Sequence, residues 1–359
     1  MTGRSVAVAV SGGIDSMMAA RLLRESGVPV FGIHFHIGHA GCTDLTEGDI
    51  AVLSDRLGMP VETVDLSARF RREVVSRFIR EYAAARTPNP CLICNPAIKF
   101  GALLKAARDR GAAALATGHY ARIRQSAGGF PELWAGADKT RDQSYFLALI
   151  PPDRLAWARF PLGGLRKEKV LRMAAARGLR PLHAGESQDI CFIRGRYHEF
   201  LETEGGLPPR PGPITDGAGR KIGTHPGLHL FTVGQRKGIN IPASEPYYVL
   251  SLDMPGNRLV VGFADELFQS ECRVGDVNWL VPPPADPLEV RVKIRYRQAA
   301  VPALLHGEAG GDVRLRFSTP LKAVTPGQGA VWYQGDRVLG GGLIAGGVPE
   351  TADAGDETP

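Results

Sequence analysis

The feature that most constrains this chain is a six-residue turn, Ser11-Gly12-Gly13-Ile14-Asp15-Ser16. It sits between an apolar run at residues 5–10 and a stretch at 15–26 whose helical spacing puts Met18, Leu22 and Leu23 on one face. A short continuous apolar run reads as a buried parallel strand. Glycines that lead from such a strand into a helix let backbone N–H groups close around a phosphate, and the helix N-terminus adds partial positive charge. Ser11 and Ser16 add hydroxyl donors. Asp15 would repel a bare phosphate, so a role through Mg2+ or as a helix cap suits it better. The Gly-Lys-Ser/Thr of a Walker A loop is missing here. The bland alternative is a plain strand-to-helix turn with a serine cap.

The pattern continues in the same style. Residues 28–35 and 61–64 read as strands, 50–57 as a helix ending at Gly58, 70–85 and 100–110 as helices, and 112–116 as a further strand. Strands alternating with helices predict a doubly wound parallel sheet, an α/β fold whose ligands sit beyond the carboxyl ends of the strands. The texture changes near residue 205, where residues 207–213 are rich in proline and glycine. Short extended segments follow at 227–233, 247–253 and 258–262, with a turn at Pro255-Gly256-Asn257. A second break, four prolines within 281–287, precedes segments at 288–297, 313–317, 330–333 and 337–341 that predict a small antiparallel barrel or sandwich. The expected domains are therefore 1–205, α/β and nucleotide-binding; 206–280, small and mainly β; and 281–348, barrel-like. A small-residue-rich acidic tail over 349–359 is expected to be disordered. No internal repeat is evident.

A chain of 359 residues exceeds what one core usually serves. Its 44% hydrophobic and 22% charged residues are ordinary for a soluble globular protein, and no apolar run approaches the ~20 residues of a membrane span. The first ten residues carry one basic side chain and run into a strand, unlike a signal peptide. A cytoplasmic protein with no membrane partner is expected. Five scattered cysteines are too few for a disulfide framework. The formal charge of +6 is compatible with a nucleic-acid partner and does not by itself demand one.

Cys91-Leu92-Ile93-Cys94 lies in Thr87-Pro88-Asn89-Pro90-Cys91-Leu92-Ile93-Cys94-Asn95, a proline-rich loop entering a helix. A structural zinc site needs four ligands, no second pair exists, and no metal site is predicted. A redox pair remains open, because a helix N-terminus favours thiolate. So does a sulfur-handling nucleophile. Cys191 lies in Glu186-Ser187-Gln188-Asp189-Ile190-Cys191-Phe192-Ile193, where a buried structural thiol is the default. Cys42 and Cys272 lack polar context and fall in that default class.

Several segments then line up in order: Thr87–Phe100 with its TPNP and IKF, Ala116-Thr117-Gly118-His119-Tyr120, Asp142-Gln143-Ser144-Tyr145-Phe146, Ile190-Cys191-Phe192, Gly234-Gln235-Arg236-Lys237-Gly238, Arg295-Tyr296-Arg297-Gln298 and Thr325-Pro326-Gly327-Gln328. With a turn resembling the SGGxDS signature of the PP-loop ATP pyrophosphatases, this set resembles the tRNA-specific 2-thiouridylases over nearly the whole chain. The resemblance implies that ATP adenylates the 2-oxygen of the wobble uridine in tRNAs of the Lys, Glu and Gln type, and that sulfur then displaces AMP. It implies ATP and Mg2+ as cofactors. It also implies a persulfide on Cys191, supplied by a sulfur relay protein or a cysteine desulfurase, and a resolving thiol on Cys94, with a Cys94–Cys191 disulfide as by-product. Ala9, Val10, Ser11, Gly12, Gly13, Ile14, Asp15, Ser16, Phe35 and Gly118 match nucleotide-binding positions. Asn89, Pro90 and Cys91 match the stretch facing the target base. His119, Arg141, Asp142, Gln143, Arg295, Tyr296 and Gln328 match tRNA-contacting positions.

One departure stands out. Some members carry aspartate where this chain has Cys91, and a carboxylate there is a candidate general acid or base. Cys91 instead makes a three-thiol set with Cys94 and Cys191, which opens a less favoured route through a [4Fe–4S] cluster with one iron left for sulfide. The segment at residues 36–49 is also short against many members. Another PP-loop ligase or amidotransferase, and an RNA-binding relic of the fold, are the competing function classes.

Residues 291–297, Arg-Val-Lys-Ile-Arg-Tyr-Arg, alternate cleanly. As a strand they put Arg291, Lys293, Arg295 and Arg297 on one face and Val292, Ile294 and Tyr296 on the other. Four cations in a row suit phosphates, and equally suit a charged, protected edge.

Overall fold

The computed structural model of the chain describes residues 5–39, 44–183 and 190–347. Cys42, residues 186–189 and the tail from 349 lie outside those residues, as does part of the short 36–49 segment. Strands are numbered along the chain. β1 (Val6–Ala9) sits in the middle of a five-stranded parallel sheet, between β2 (Val30–His36) and β4 (Ala114–Ala116). The outer strands are β3 (Val61–Asp65), beside β2, and β7 (Ala158–Arg159), beside β4. Successive β1 residues show why the sheet is covered on both faces. Ala7 packs with Leu92, Phe100 and Leu103 of one helical layer, while Val8 packs with Met17, Met18, Leu53 and Val170 of the other. Both are fully buried, so the strand reads as continuously apolar rather than alternating.

The helix Glu47–Leu57 is delimited by its sequence. Thr46 and Asp49 form a capping box, and Gly58 ends the helix in the left-handed conformation. Two other helices differ from expectation. The first starts at Ser67 rather than at 70 and runs to Ala83, with π turns over Arg71–Val75. The second is not a loop entering a helix at 100. One helical run covers residues 90–109, with π turns over Asn95–Leu103. Pro90 sits in its first turn, where a missing N–H costs nothing, and Asn89 caps it by accepting from the Cys91 amide at 3.2 Å. Pro96 brings no N–H to the helix, and Asn95 Nδ2 donates to the Cys91 carbonyl at 3.0 Å beside it. Gly101 is required there: a Cβ would stand 2.7 Å from the Pro96 carbonyl oxygen.

β5 (Ala121–Gln125) and β6 (Pro131–Ala135) form a hairpin that the sequence reading missed. The middle region is a four-stranded sheet of β8 (Gly212–Thr215), β9 (Lys221–His225), β10 (Tyr248–Asp253) and β11 (Arg258–Gly262), in the order β10-β11-β8-β9. The segment at 227–233 is not a strand. It makes a 3-10 turn at Leu228–Leu230 that places Leu228 and Phe231, three residues apart, in one small core.

β12 (Phe268–Trp279), β13 (Leu288–Lys293), β14 (Val301–Gly307), β15 (Val313–Lys322), β16 (Gly329–Gln334) and β17 (Arg337–Gly347) close into a six-stranded antiparallel barrel, β12 pairing with both β15 and β17. The proline cluster at 281–287 is therefore the β12–β13 loop, and the barrel begins at Phe268, ahead of the expected boundary at 281. β17 also touches the N-terminal hairpin, Arg337 pairing with Trp134.

Candidate active site

The glycine turn lies at the carboxyl end of β1. Gly12 has φ +73, and a Cβ there would strike Leu182 Cδ1 at 2.9 Å, so both backbone and packing ask for glycine. Gly13 is the N-cap of helix Ile14–Glu25 and gives it no side-chain cap. Ser16 Oγ accepts from the Ser11 amide at 3.1 Å and donates to the Gly13 carbonyl at 2.9 Å, which holds the turn in shape. Asp15 is not the cap that was one reading of it. Its carboxylate takes both oxygens to Lys167 Nζ at 2.7 Å and accepts from the Tyr120 hydroxyl at 2.8 Å. Lys167 carries no signal in the sequence, and Tyr120 enters there only as the last residue of the Ala116–Tyr120 segment. Both stand far away along the chain, and only folding brings them to Asp15.

Phe35 is half-buried near the end of β2, paired with Val64. Gly118 follows β4 and lies against the start of the first helix. A Cβ on it would sit 2.8 Å from the Asp15 carbonyl carbon and 2.9 Å from the Ser16 nitrogen. The next residue, His119, bonds Thr117 Oγ1 through Nδ1 at 2.7 Å and Lys99 Nζ through Nε2 at 3.4 Å. An ammonium only donates, so Nε2 accepts and the proton is on Nδ1. Burial, with the Lys99 charge beside it, holds His119 well below the usual histidine range, so the ring is neutral. Lys99 belongs to the cysteine helix. The contacts thus run without a break from the glycine turn through Gly118 and His119 to that helix.

Cys91 and Cys94 lie three residues apart in the helix's first turns, both half-buried. Burial pushes the Cys94 thiol up to about 12; the Lys99 ammonium pulls it back, and Cys191 and Cys91 push it further. Burial also raises Cys91, again against Lys99. Cys191 is exposed, and its neighbours Ile190 and Ile193 pack in the same cluster as Cys94 and Ala97. Phe192 anchors this turn between Phe70 and Phe78, with centroids 5.6 and 5.3 Å away. The Cys191 turn and the Cys94 helix, 97 positions apart in sequence, thereby share one apolar cluster. Lys99 is the site residue that sequence reasoning missed; it was visible as the lysine of the IKF segment. In an α-helix it would point about 140° away from Cys94, and the i→i+5 turns between them close that angle. No group of three or more His, Cys, Asp or Glu side chains among the described residues is arranged to hold a metal ion. Cys272 is buried in the barrel core, as expected for a structural thiol.

The remaining predicted residues split into two groups. Arg141 is exposed, and Asn89 and Pro90 line a narrow cleft beside the cysteine helix. Others have polar groups already engaged within the chain. Asp142 is buried and accepts from Gly136 N, Ser144 N and Ser144 Oγ. Gln143 Oε1 braces the Tyr120 amide at 3.0 Å. Arg295 Nη2 reaches Val233 O, Ala323 O and Thr325 Oγ1, tying the middle region to the barrel. Gln328 Nε2 donates to the Thr87 carbonyl at 2.8 Å while the Thr87 amide donates to Pro326 O at 2.9 Å, so a barrel loop clasps the segment leading into the cysteine helix. The seven-residue basic segment is shorter as a strand than expected, since β13 ends at Lys293. The alternation of faces continues beyond it: Val292 and Ile294 are buried and Tyr296 is half-buried, while Arg291, Arg295 and Arg297 are exposed. Lys293 pairs with Asp142 at 3.5 Å, and the Arg291 guanidinium donates to the Ala300 carbonyl. Tyr296 packs its ring on Phe146, centroids 4.3 Å apart.

Comparison with known proteins adds the chain's relationships. Residues 4–195 match a family described as tRNA methyl transferase HUP domain, residues 198–263 its PRC-barrel domain, and residues 269–344 an aminomethyltransferase beta-barrel domain. The tRNA-specific 2-thiouridylase MnmA of Desulfosudis oleivorans is 50% identical over 340 residues, covering 94% of each chain. That of Acidithiobacillus ferrooxidans is 43% identical over 351 residues, covering 96% of this chain and 99% of that one. The family descriptions speak of methyl transfer, but the relatives matching from end to end are thiouridylases, and a match along the whole length at such identity is the more specific. With its ATP-type glycine turn and its paired thiols, the chain belongs to the tRNA-specific 2-thiouridylase family.

Proposed function

We propose that this tRNA-uridine 2-sulfurtransferase carries sulfur on Cys191 as a persulfide and resolves it with Cys94, after adenylation at the Ser11–Ser16 turn. The observation that carries this reading is the run of contacts from the turn through Gly118 and His119 to Lys99, whose charge acts on the sheltered Cys94, with the exposed Cys191 beside the same apolar cluster. ATP and wobble-uridine tRNA are the substrates. The uridine 2-oxygen attacks the α-phosphate and pyrophosphate leaves. The terminal sulfur of the Cys191 persulfide then attacks C2, and AMP departs with the oxygen. Cys94, as thiolate, attacks Cys191 Sγ, the S–S bond breaks, and 2-thiouridine leaves with the terminal sulfur. The two cysteines are oxidised to a disulfide, which an external thiol reduces before the next turnover. Exposure suits Cys191 to loading by a persulfide-bearing protein, and shelter suits Cys94 to waiting for a local target. Mg2+ held with the ATP phosphates near Asp15, a cytoplasmic setting and tRNAs of the Lys, Glu and Gln type complete the reading. Cys91 stands where some relatives carry aspartate, a candidate general acid or base. A half-buried thiol with a raised pKa holds its proton, so it can donate but is a poor base at neutral pH.

The test is a reconstitution with ATP, a persulfide donor and unmodified tRNA, scored by retardation of thiolated tRNA in mercury-containing gels. The expected result is 2-thiouridine, AMP and pyrophosphate from wild type. Cys191→Ser should abolish thiolation and leave tRNA binding intact. Unretarded tRNA with wild-type protein and a competent donor would sink the reading, and loss of tRNA binding in Cys191→Ser would make that thiol structural.

A further inference from the structure

On the side of the cysteine helix facing the barrel lies an open groove of about 610 Å3, walled by the helix at 67–83, the cysteine helix and the barrel. Five arginines line it: Arg69, Arg72, Arg77, Arg80 and Arg154, against two carboxylates, Glu73 and Asp276. Three excess positive charges in one trough amount to half of the chain's formal +6. The arginines divide by role. Arg77 bonds Asp276 at 2.6 Å and Arg154 bonds the Pro96 carbonyl at 2.9 Å, so these two hold the walls together. Arg69 and Arg72 share the single carboxylate of Glu73 at 3.2 and 3.3 Å, which leaves most of their donors for something else. Arg72 is 69% exposed, and Arg80 is exposed too. From Arg69 to Arg80 the helix rises about 16 Å.

We propose that this groove binds the sugar-phosphate backbone of the RNA substrate, on the side leading away from the target base; this rests on the tRNA reading above. Three features favour a polynucleotide. The trough is open and elongated, where a small anion would be enclosed. Its cations are guanidiniums, whose forked donors match phosphate oxygens. It also shares Arg77, Ile93 and Leu343 with the narrow cleft that reaches Asn89 and Pro90, the residues implied to face the base.

The experiment compares wild type with the Arg72→Gln/Arg80→Gln double variant, which leaves the wall-holding arginines in place. Affinity for unmodified tRNA is measured across a salt series, with ATP binding as a check on folding. Two lost phosphate contacts should flatten the slope of log K against log salt by about 1.5 and weaken binding about 30-fold at 0.1 M salt. Arg72→Lys/Arg80→Lys should keep most of the slope. An unchanged slope and affinity in the Gln variant overturns the groove while leaving the function standing. Unchanged tRNA binding with loss of transfer only from a protein sulfur donor also overturns it, and assigns the groove to an acidic protein instead. Failure of wild type to bind tRNA removes the function reading and the groove together.

Discussion

Cys94 in the free protein should be nearly inert toward alkylation at neutral pH, despite being a working thiol. Burial lifts it to about 12 from an ordinary 9.0. Only the thiolate reacts, so three pH units correspond to about 1000-fold less reactive species at pH 7.5 than in the unfolded chain. The assay is a pulse of iodoacetamide, quenched and read by mass spectrometry on the peptide carrying Cys94, native against urea-unfolded. The native rate should climb about tenfold per pH unit from 7.5 to 9.5 without levelling, while the unfolded rate levels near its ordinary pKa. The groups acting on this thiol are Lys99, Cys91 and Cys191, and Lys99 alone pulls it down. Lys99→Met should therefore slow native labelling further and leave the unfolded rate alone, with Lys99→Arg restoring it. A native rate within tenfold of the unfolded one at pH 7.5, or a flat profile to pH 9.5, would refute the burial argument. A Lys99→Met profile identical to wild type would refute the charge argument.

Gly118→Ala places a methyl 2.8 Å from backbone of the first helix, which cannot swing aside, so it should cost about 1–3 kcal/mol and weaken ATP binding, seen by thermal melts and nucleotide titration. Gln328→Ala removes one arm of the clasp on Thr87 and should cost about 1 kcal/mol, while proteolysis between residues 84 and 90 accelerates. Burial holds His34, His119 and His225 below the ordinary 6.5, so the unfolded chain takes up protons that the fold refuses. Their contribution is complete above about pH 6.5 and is lost as pH falls below it, so the melting temperature should drop from pH 7 to pH 5. A melting temperature constant across that range would contradict it.

Local chemistry determined much of this protein. The strand–glycine–helix order, the Thr46 and Gly58 helix ends and the apolar core strands are decided within a few residues, and such signals survive reading one residue at a time. The motif order carried the family, and with it Cys94 and Cys191. Where the sequence reading failed, the deciding contact was distant. The 227–233 segment turns rather than extends because Leu228 and Phe231 share a small core with β10 and β11. β12 belongs to the barrel because it pairs with residues far onward in the chain, from Val313 of β15 to Gly347 of β17, across a proline cluster that looks like a boundary. Arg295 and Gln328 match tRNA-contacting positions, and what the reading of them lacked is their partners within the chain, Val233, Ala323 and Thr87, which are invisible to periodicity. Only tertiary structure set Lys167 on Asp15, turned Lys99 toward Cys94 through wide π turns, and laid five arginines along one groove. The reason is physical: propensity and capping are properties of neighbouring residues, whereas the charge, burial and reach of a side chain belong to whatever the fold brings beside it.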